Sequence, residues 1–412
     1  MSKSKILGNI ASLGTLQLVN YVFPFLTFPY ITRIFSTDTY GLALTIVAFS
    51  TYLNLITDFG FGLSATRDIA QHIDNKKQLR NIFSNVIAAK ILLYLISLIA
   101  LAGFIFISAQ YKPHGVLFLM GFSGVVGNII TPLWAFQGLN KVVLITRISL
   151  IGRGLNLVCL FLFVHSNSDI GVYISLNSLV SLLIGFFALY LAAKDLDLWF
   201  TRQINLASIW ETIVKSFNSF LIVAIISLYT TLNTLFLSWF CDYKTVAIYG
   251  VADKILGMVL GVQGMFIQST FPFLVKKDSS HNQLLKFLKY NVILGIIMCL
   301  FMVFGAKYII HVLVGHKYDQ SIKLLMILAI TPLTMAVTTF NQTYLFKHGL
   351  EKYQTYVYSI SGTYVVISNY VTIRSYGYYA VITNFLICEF INIILLSLLI
   401  KYKVNVKKDY QI

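Results

Sequence analysis

Apolar and polar positions follow one another in long blocks along this chain rather than residue by residue. Twelve apolar stretches, each about 20 residues long, run from Ile6 to Ile400 and are separated by polar segments. A strand that spans a membrane alternates apolar and polar side chains, whereas these stretches are apolar on every face. The pattern therefore predicts an all-α integral membrane protein with about twelve transmembrane helices.

The predicted helices form two groups of six. The first group is placed at 9–33, 40–63, 83–108, 115–137, 146–165 and 171–193, and the second at 216–240, 246–273, 288–313, 322–346, 354–373 and 378–400. The polar stretch from Lys194 to Lys215 separates them at the middle of the chain. We therefore predict a six-helix lobe over residues 1–200 and a second over residues 201–412.

Short sequence matches indicate that the two lobes are copies of one unit. The sequence YGLA at 40–43 recurs as YGVA at 249–252, and GLNK at 138–141 recurs as GLEK at 349–352, so the offsets are 209 and 211 residues. Six helices per copy preserve the topology, which predicts parallel repeats related by an axis along the membrane normal. A cleft between two such lobes is typical of transporters that work by alternating access.

Charge predicts the orientation and excludes one class of function. With the N-terminus inside, about 21 Lys and Arg residues fall on the cytoplasmic side and about seven on the outer side, which places both termini in the cytoplasm. The net charge of +16 is dispersed over the cytoplasmic segments rather than gathered in one patch, so no nucleic-acid partner is expected. Only 11% of residues are charged and the mean hydropathy is +0.79, which excludes a water-soluble globule.

The cysteines and histidines predict neither a cofactor nor a metal site. Four cysteines are scattered singly. His311 and His316 stand five residues apart at the outer end of a predicted helix, and we expect no metal site there.

Two segments carry a resemblance to a known family. Residues 31–70 contain Tyr40-Gly41 and Asp58-Phe59-Gly60, and residues 132–164 contain the turn Trp134-Ala135-Phe136-Gln137-Gly138. In these motifs the chain resembles the O-antigen flippases, the polysaccharide transporter branch of the MATE-like exporter superfamily (MOP).

The resemblance implies a function, a location and partners. It implies that the chain flips repeat units linked to undecaprenyl diphosphate from the cytoplasmic to the periplasmic face of the bacterial inner membrane. A proton or sodium ion would couple the transport, and candidate partners are a polysaccharide polymerase and a chain-length regulator.

Basic residues inside the predicted spans are the candidate substrate contacts. A charge at the bilayer centre costs on the order of 2.5 to 3.5 kcal/mol, so such residues usually face a cavity or a partner. We expect Arg153, as a forked donor, and Lys90, as a point charge, to hold the diphosphate, although either could instead reach to the cytoplasmic interface. Lys254 is a candidate cavity cation of the second lobe or a member of a salt bridge. Arg33 would receive the diphosphate on the outer side, and the alternative is an interfacial arginine that ends its helix.

Acidic residues inside the spans are the candidates for ion coupling. Glu389 lies near the middle of the last predicted helix, Asp253 in the eighth and Asp58 near the end of the second. A carboxylate buried in a membrane can carry a proton. For Asp58, a helix-end cap or an ion pair with Arg67 is the alternative.

Two other functions remain as alternatives. A multidrug antiporter of the same architecture would favour acidic and aromatic cavity groups, whereas three of the charges within the spans are basic. A membrane enzyme that polymerises or ligates the same sugars would need a long catalytic loop or a nucleophile motif. The sequence carries neither, so no enzyme is expected.

Overall fold

The computed structural model describes residues 23–201, 204–275, 280–350 and 352–409. These residues form helices and contain no strand. In chain order the first helices are α1 (23–34), α2 (Thr37–Asp58), α3 (Phe61–Gln71), α4 (Lys76–Ile107), α5 (Gly115–Ile130), α6 (Leu133–Gly138), α7 (Val142–Phe163) and α8 (Ile170–Leu196). They are followed by α9 (Leu206–Thr230), α10 (Leu232–Phe240), α11 (Tyr243–Leu274), α12 (His281–Leu313), α13 (Gln320–Leu328), α14 (Thr331–Lys347), α15 (Lys352–Tyr376) and α16 (Tyr378–Asp409).

The predicted membrane helices are confirmed. Ten helical segments of the described chain are long and apolar enough to cross a membrane. Of the other two predicted spans, 354–373 is occupied by α15, and 9–33 contains α1, while residues 9–22 of that span lie outside the described residues. Four spans consist of two consecutive helices each: α2 with α3, α5 with α6, α9 with α10, and α13 with α14. Proline accompanies two of these breaks, because Pro132 precedes α6 and Pro332 lies in the first turn of α14.

The described residues group into two compact units. Unit 1 contains the residues up to 35 and 45–224, and unit 2 contains 36–44 and the residues from 225 onward. The first turns of α2 thus belong to unit 2, and most of α9 belongs to unit 1. The predicted lobes, 1–200 and 201–412, remain a prediction.

Small residues bring α5 and α8 of unit 1 into close contact. A methyl group added to Gly127 would overlap the backbone of Ser181, and one added to Gly185 would lie 2.5 Å from the carbonyl oxygen of Gly127. The hydroxyl of Ser181 donates a hydrogen bond to the Gly124 carbonyl at 2.9 Å. Small residues and serine hydroxyls are the usual means by which membrane helices approach each other. We call this contact the α5–α8 seam.

The Trp134-to-Gly138 motif lies in the core of unit 1. A methyl group on Gly138 would lie 2.8 Å from the Thr66 carbonyl oxygen, so α6 packs directly on α3. Trp134 is 2% exposed, and its ring centroid lies 6.0 Å from that of Phe83 on α4. The turn containing Trp134 and Gly138 therefore serves helix packing.

One carboxylate joins the end of α8 to the start of α4. Asp197, in the left-handed conformation with φ of 57°, accepts hydrogen bonds from Lys76 at 3.0 Å and Arg80 at 2.5 Å. These hydrogen bonds, from Lys76 and then Arg80, hold the pKa of Asp197 below its ordinary value.

Unit 2 has a close helix contact and a chain of amides. A methyl group on Gly41 would overlap the backbone of Tyr243, which explains the glycine in the first copy of the repeated Tyr-Gly pair. Deeper in the unit, Asn384 donates to Asn369 at 2.9 Å and Asn369 donates to Asn233 at 3.0 Å, which links α16, α15 and α10. Hydrogen bonds between amides satisfy polar groups that lipid cannot.

We predict that Gly60→Ala lowers the melting temperature of the detergent-purified protein. Gly60 has φ of +71°, and a methyl group there would lie 2.5 Å from the Phe220 nitrogen. The left-handed conformation alone costs alanine about 1–2 kcal/mol. Gly103→Ala on α4 is the control, because no atom lies within 4 Å of its added methyl group. Equal melting temperatures for the two variants would contradict the prediction.

Candidate functional site

A polar cavity lies in unit 1, bounded mainly by α5, α7 and α8. Its volume is about 350 Å³. Apolar side chains such as Ile145 and Val180 form part of the wall, and the rest is polar. The polar lining residues are Asn128, Thr131, Ser149, Arg153, Asn156, Asn177 and Ser181.

Arg153 is the charged residue of this lining. It lies eleven residues after Val142, the first residue of α7, and thus about 16 Å along a helix of 22 residues. No carboxylate among the described residues lies within 4.0 Å of its guanidinium. A cation at mid-helix without a counter-charge is costly in hydrocarbon, so the polar cavity is what makes its position tolerable.

Amide side chains connect the walls of the cavity. Asn156 on α7 donates to Asn177 on α8 at 2.9 Å. Asn128 on α5 reaches Asn54 on α2 at 3.5 Å. Asn54, Asn128 and Asn177 also line an adjoining cavity of about 210 Å³ between α2, α5 and α8. The two cavities share Asn128, Asn177 and Ser181 as lining residues, and Arg153 lines the first. We call the two adjoining cavities together the polar groove.

One buried hydrogen-bond acceptor that lines the groove has no partner among the described residues. The side-chain oxygen of Asn156 is buried and has no hydrogen-bond partner among the described residues. Such an acceptor is costly unless a ligand or water satisfies it. Arginine binds phosphate through two parallel N–H donors, and amides bind hydroxyl groups as both donors and acceptors. The groove can therefore hold a molecule that combines an anionic group with hydroxyls.

Lys90 lies elsewhere in unit 1, paired with an acid. Its ammonium group donates to Asp58 at 2.5 Å, and the two side chains are 5% and 40% exposed. Lys90 is not part of the lining of the polar cavity, so the structure does not bring it together with Arg153. Asp58 thus pairs with Lys90 rather than with Arg67, which lies 3.8 Å from Asp68.

The other predicted cations and Asp253 are exposed. Lys254 and Asp253 are exposed neighbours on α11 of unit 2. The Asp253 carboxylate interacts electrostatically with Lys254 and with Tyr249 on the preceding turn. Arg33 is exposed at the end of α1. None of the three lines the polar cavity.

Glu389 is the most buried predicted acid. It lies on α16 of unit 2 and is 9% exposed. Its carboxylate is close to Thr334 of α14 and to Tyr358 of α15. No basic side chain in the described ranges lies within 4.0 Å of it. An acid in this position can hold a proton without breaking an ion pair.

A second polar cavity was not predicted from the sequence. It has a volume of about 380 Å³ and lies between the ends of α3, α4 and α9 in unit 1. Asp68 and Lys215 pair across it at 2.7 Å, and Asn81 and Asn85 contribute amides. Because these residues flank the apolar segments, they are not among the charged residues within the predicted spans.

The family of the chain is settled by its match to known sequences. Residues 6–278 match a family described as polysaccharide biosynthesis protein. The chain belongs to this family. A second family of the same description matches residues 255–412, so the relationship extends over both units.

Two relatives are similar over most of the chain. A candidate O-antigen transporter of Escherichia coli K12 is 27% identical over 343 residues, which is 82% of each protein. A candidate O-antigen transporter of Shigella dysenteriae is 27% identical over 391 residues, which is 92% of this chain and 96% of the relative.

Solved structures of transporters share the fold of this family member. The lipid II flippase MurJ, in an inward closed conformation, superposes with a TM-score of 0.75 at 14% identity, covering 96% of this chain and 87% of MurJ. An inward-facing multidrug transporter of the MATE family gives a TM-score of 0.66 at 13% identity, covering 97% and 99%. The expected MATE-like fold is confirmed.

We predict that Asp58→Asn destabilises the protein more than Lys90→Met does. The first change leaves the buried ammonium of Lys90 without its counter-charge, whereas the second leaves a carboxylate that is already 40% exposed. Removing one partner of a buried ion pair destabilises a protein by about 3 to 5 kcal/mol. We expect a loss near the lower value here, because Asp58 is partly exposed. Melting temperatures of the purified variants provide the measurement.

The double variant Asp58→Asn/Lys90→Met is the control for this comparison. It removes both charges, so its stability should exceed that of Asp58→Asn alone. If the double variant is the least stable of the three, the pair is not the source of the effect.

Proposed function

We propose that this protein moves lipid-linked oligosaccharide units across the bacterial inner membrane, from the cytoplasmic to the periplasmic face. Both relatives are named as candidate O-antigen transporters, and the fold is shared with a lipid flippase and with multidrug exporters. The family and these relatives indicate a transporter rather than an enzyme. The substrate in this proposal carries undecaprenyl diphosphate and a sugar repeat unit.

The observation that supports this most directly is the pairing of Arg153 with amides in one polar groove. The guanidinium would bind the diphosphate through parallel N–H donors. Asn128, Asn156 and Asn177 would bind sugar hydroxyls, and the unsatisfied oxygen of Asn156 supplies an acceptor. The polyprenyl tail would remain in lipid, because the groove is too polar for it.

The charges of the groove disfavour the competing antiporter function. A cationic drug would meet the unpaired guanidinium of Arg153, and the lining contains no carboxylate to attract it. Repulsion in a site of low dielectric is strong.

Further parts of the proposal concern the remaining sites. Both termini lie in the cytoplasm and the two lobes alternate access. Lys90, Lys254 and Arg33 contact the diphosphate at other stages, and Lys90 does so by exchanging Asp58 for phosphate. A proton or sodium ion couples transport through Glu389, Asp253 or Asp58. A polysaccharide polymerase and a chain-length regulator are the proposed partners.

The function is tested by deleting the gene in its host and measuring lipid-linked sugars and surface polysaccharide. Loss of surface polymer with accumulation of single repeat units on the cytoplasmic face supports the proposal. Accumulation of units on the periplasmic face would overturn it, because the block would then follow flipping.

Arg153 is tested by complementing the deletion with variants. We predict that Arg153→Ala fails to restore surface polysaccharide and that Arg153→Lys restores it in part, since lysine keeps the charge but lacks the fork. Arg147→Ala is the matched control, because Arg147 is exposed on the same helix and does not line the cavity. Membrane levels of each variant are measured by immunoblot. Full activity of Arg153→Ala at a normal level would refute the role of Arg153 without refuting the function.

Glu389 is tested by its uncharged analogue. We predict that Glu389→Gln slows transport at least about tenfold and removes its response to a pH gradient, because an amide cannot bind and release the proton. Glu211→Gln is the control, since Glu211 is an exposed acid at the start of α9. The measurement is uptake of a lipid-linked sugar into proteoliposomes with and without the gradient. An unchanged response in Glu389→Gln would assign coupling to another group.

A further inference from the structure

Three side chains with metal-binding atoms converge at the junction of α12 and α13 in unit 2. The Nε2 atom of His311 lies 2.8 Å from Oδ1 of Asp319, and Nδ1 of His316 lies 3.9 Å from the same oxygen. All three ligand atoms lie within 4.8 Å of one another. The spacing of the two histidines in the sequence does not reveal this cluster, because the third residue, Asp319, lies in the following turn.

The spacing of these atoms is close to what a tetrahedral metal ion requires. Zinc binds imidazole nitrogen and carboxylate oxygen at about 2.0–2.2 Å, which places the ligand atoms about 3.3 Å apart. The observed separations of 2.8 and 3.9 Å lie on either side of this value. His316 is 80% exposed, so its side chain is free to adjust.

The backbone that carries the three ligands is held in place. Val314 and Tyr318 are 0% exposed, and the Tyr318 ring packs edge-on against Tyr40 at 6.2 Å. Just beyond, Ser321 donates to the Ile248 carbonyl at 2.7 Å. Gly315, with φ of 81°, forms the turn between the helices. The ligands therefore project from a preorganised loop, which lowers the entropy cost of binding.

Among the described residues, the carboxylate of Asp319 contacts the two histidines and forms no other hydrogen bond or ion pair. Asp319 occupies the N-cap position of α13, where an aspartate normally accepts a backbone N–H, but its side chain makes no such bond. The ion pairs it forms are with the two histidines, and no Lys or Arg in the described ranges pairs with it. The two imidazole centroids are only 4.1 Å apart, a spacing that favours a shared cation over two separate protonated rings.

We propose that His311, His316 and Asp319 bind a divalent transition-metal ion of the zinc class. The ion replaces the hydrogen bond between His311 and Asp319 and joins the end of α12 to the start of α13. Imidazole ligands select zinc, nickel or copper over magnesium and calcium. Three protein ligands leave one coordination position for water or a further ligand. The proposal is independent of the transport function.

The test is zinc binding by the full-length protein in detergent, after removal of any polyhistidine tag. Equilibrium dialysis followed by elemental analysis should give one tightly bound Zn²⁺ per chain, retained in excess Mg²⁺. We expect His316→Gln and Asp319→Asn to weaken binding by at least about tenfold. Both side chains are exposed, so these variants should fold normally.

His165→Gln is the matched control. His165 is exposed in the loop after α7, and no other ligand-forming His, Cys, Asp or Glu cluster of the described residues includes it. Zinc should raise the melting temperature of the wild type and of His165→Gln but not of His316→Gln. Failure of the wild type to retain zinc, or equal zinc binding by wild type and His316→Gln, would overturn the proposal.

Discussion

A hydrocarbon interior offers no hydrogen bonds, and most features of this structure follow from that constraint. Backbone groups are satisfied within helices, and side-chain amides find each other, as Asn233, Asn369 and Asn384 do in unit 2. The buried ammonium of Lys90 is matched by Asp58. Arg153 departs from this pattern because its compensation comes from a polar cavity rather than a carboxylate. Because Arg153 has no carboxylate partner among the described residues, its guanidinium is available to a ligand. The ammonium of Lys90, by contrast, is paired with Asp58 within the fold.

The helices and the position of Arg153 within a membrane span could be predicted because both depend on local sequence. An apolar run of sufficient length can only be a helix in lipid, and a basic residue within such a run is conspicuous. The polar start of α9 was missed for the same reason. The helix begins at Leu206, ten residues before the predicted span, because its first turns mix polar and apolar residues and contain no apolar run. Hydropathy locates membrane spans, but it does not locate the ends of helices that extend beyond them.

Contacts between distant residues could not be predicted. Asp58 and Lys90 are 32 residues apart on different helices, so only the packing of α2 against α4 reveals that they pair. The polar groove likewise takes its amides from α2, α5, α7 and α8. The Trp134-to-Gly138 motif gave the family correctly, and its Gly138 packs α6 directly on α3. A motif can thus identify a family through the architecture that it supports.

The α5–α8 seam limits how a protein of this kind could change its cargo during evolution. Asn128 lies one position beyond Gly127, and Asn177 and Ser181 stand on the facing helix, so the seam fixes these polar groups relative to each other. A larger residue at Gly127 or Gly185 would separate α5 from α8 and displace these polar groups. The face of α7 that carries Ser149, Arg153 and Asn156 contacts α8 through side chains instead, because a methyl group added to Gly152 would lie 2.5 Å from the side chain of Ile184 rather than from backbone. Divergence towards new sugars would accordingly be concentrated on α7, with the glycine-lined wall retained as an invariant frame.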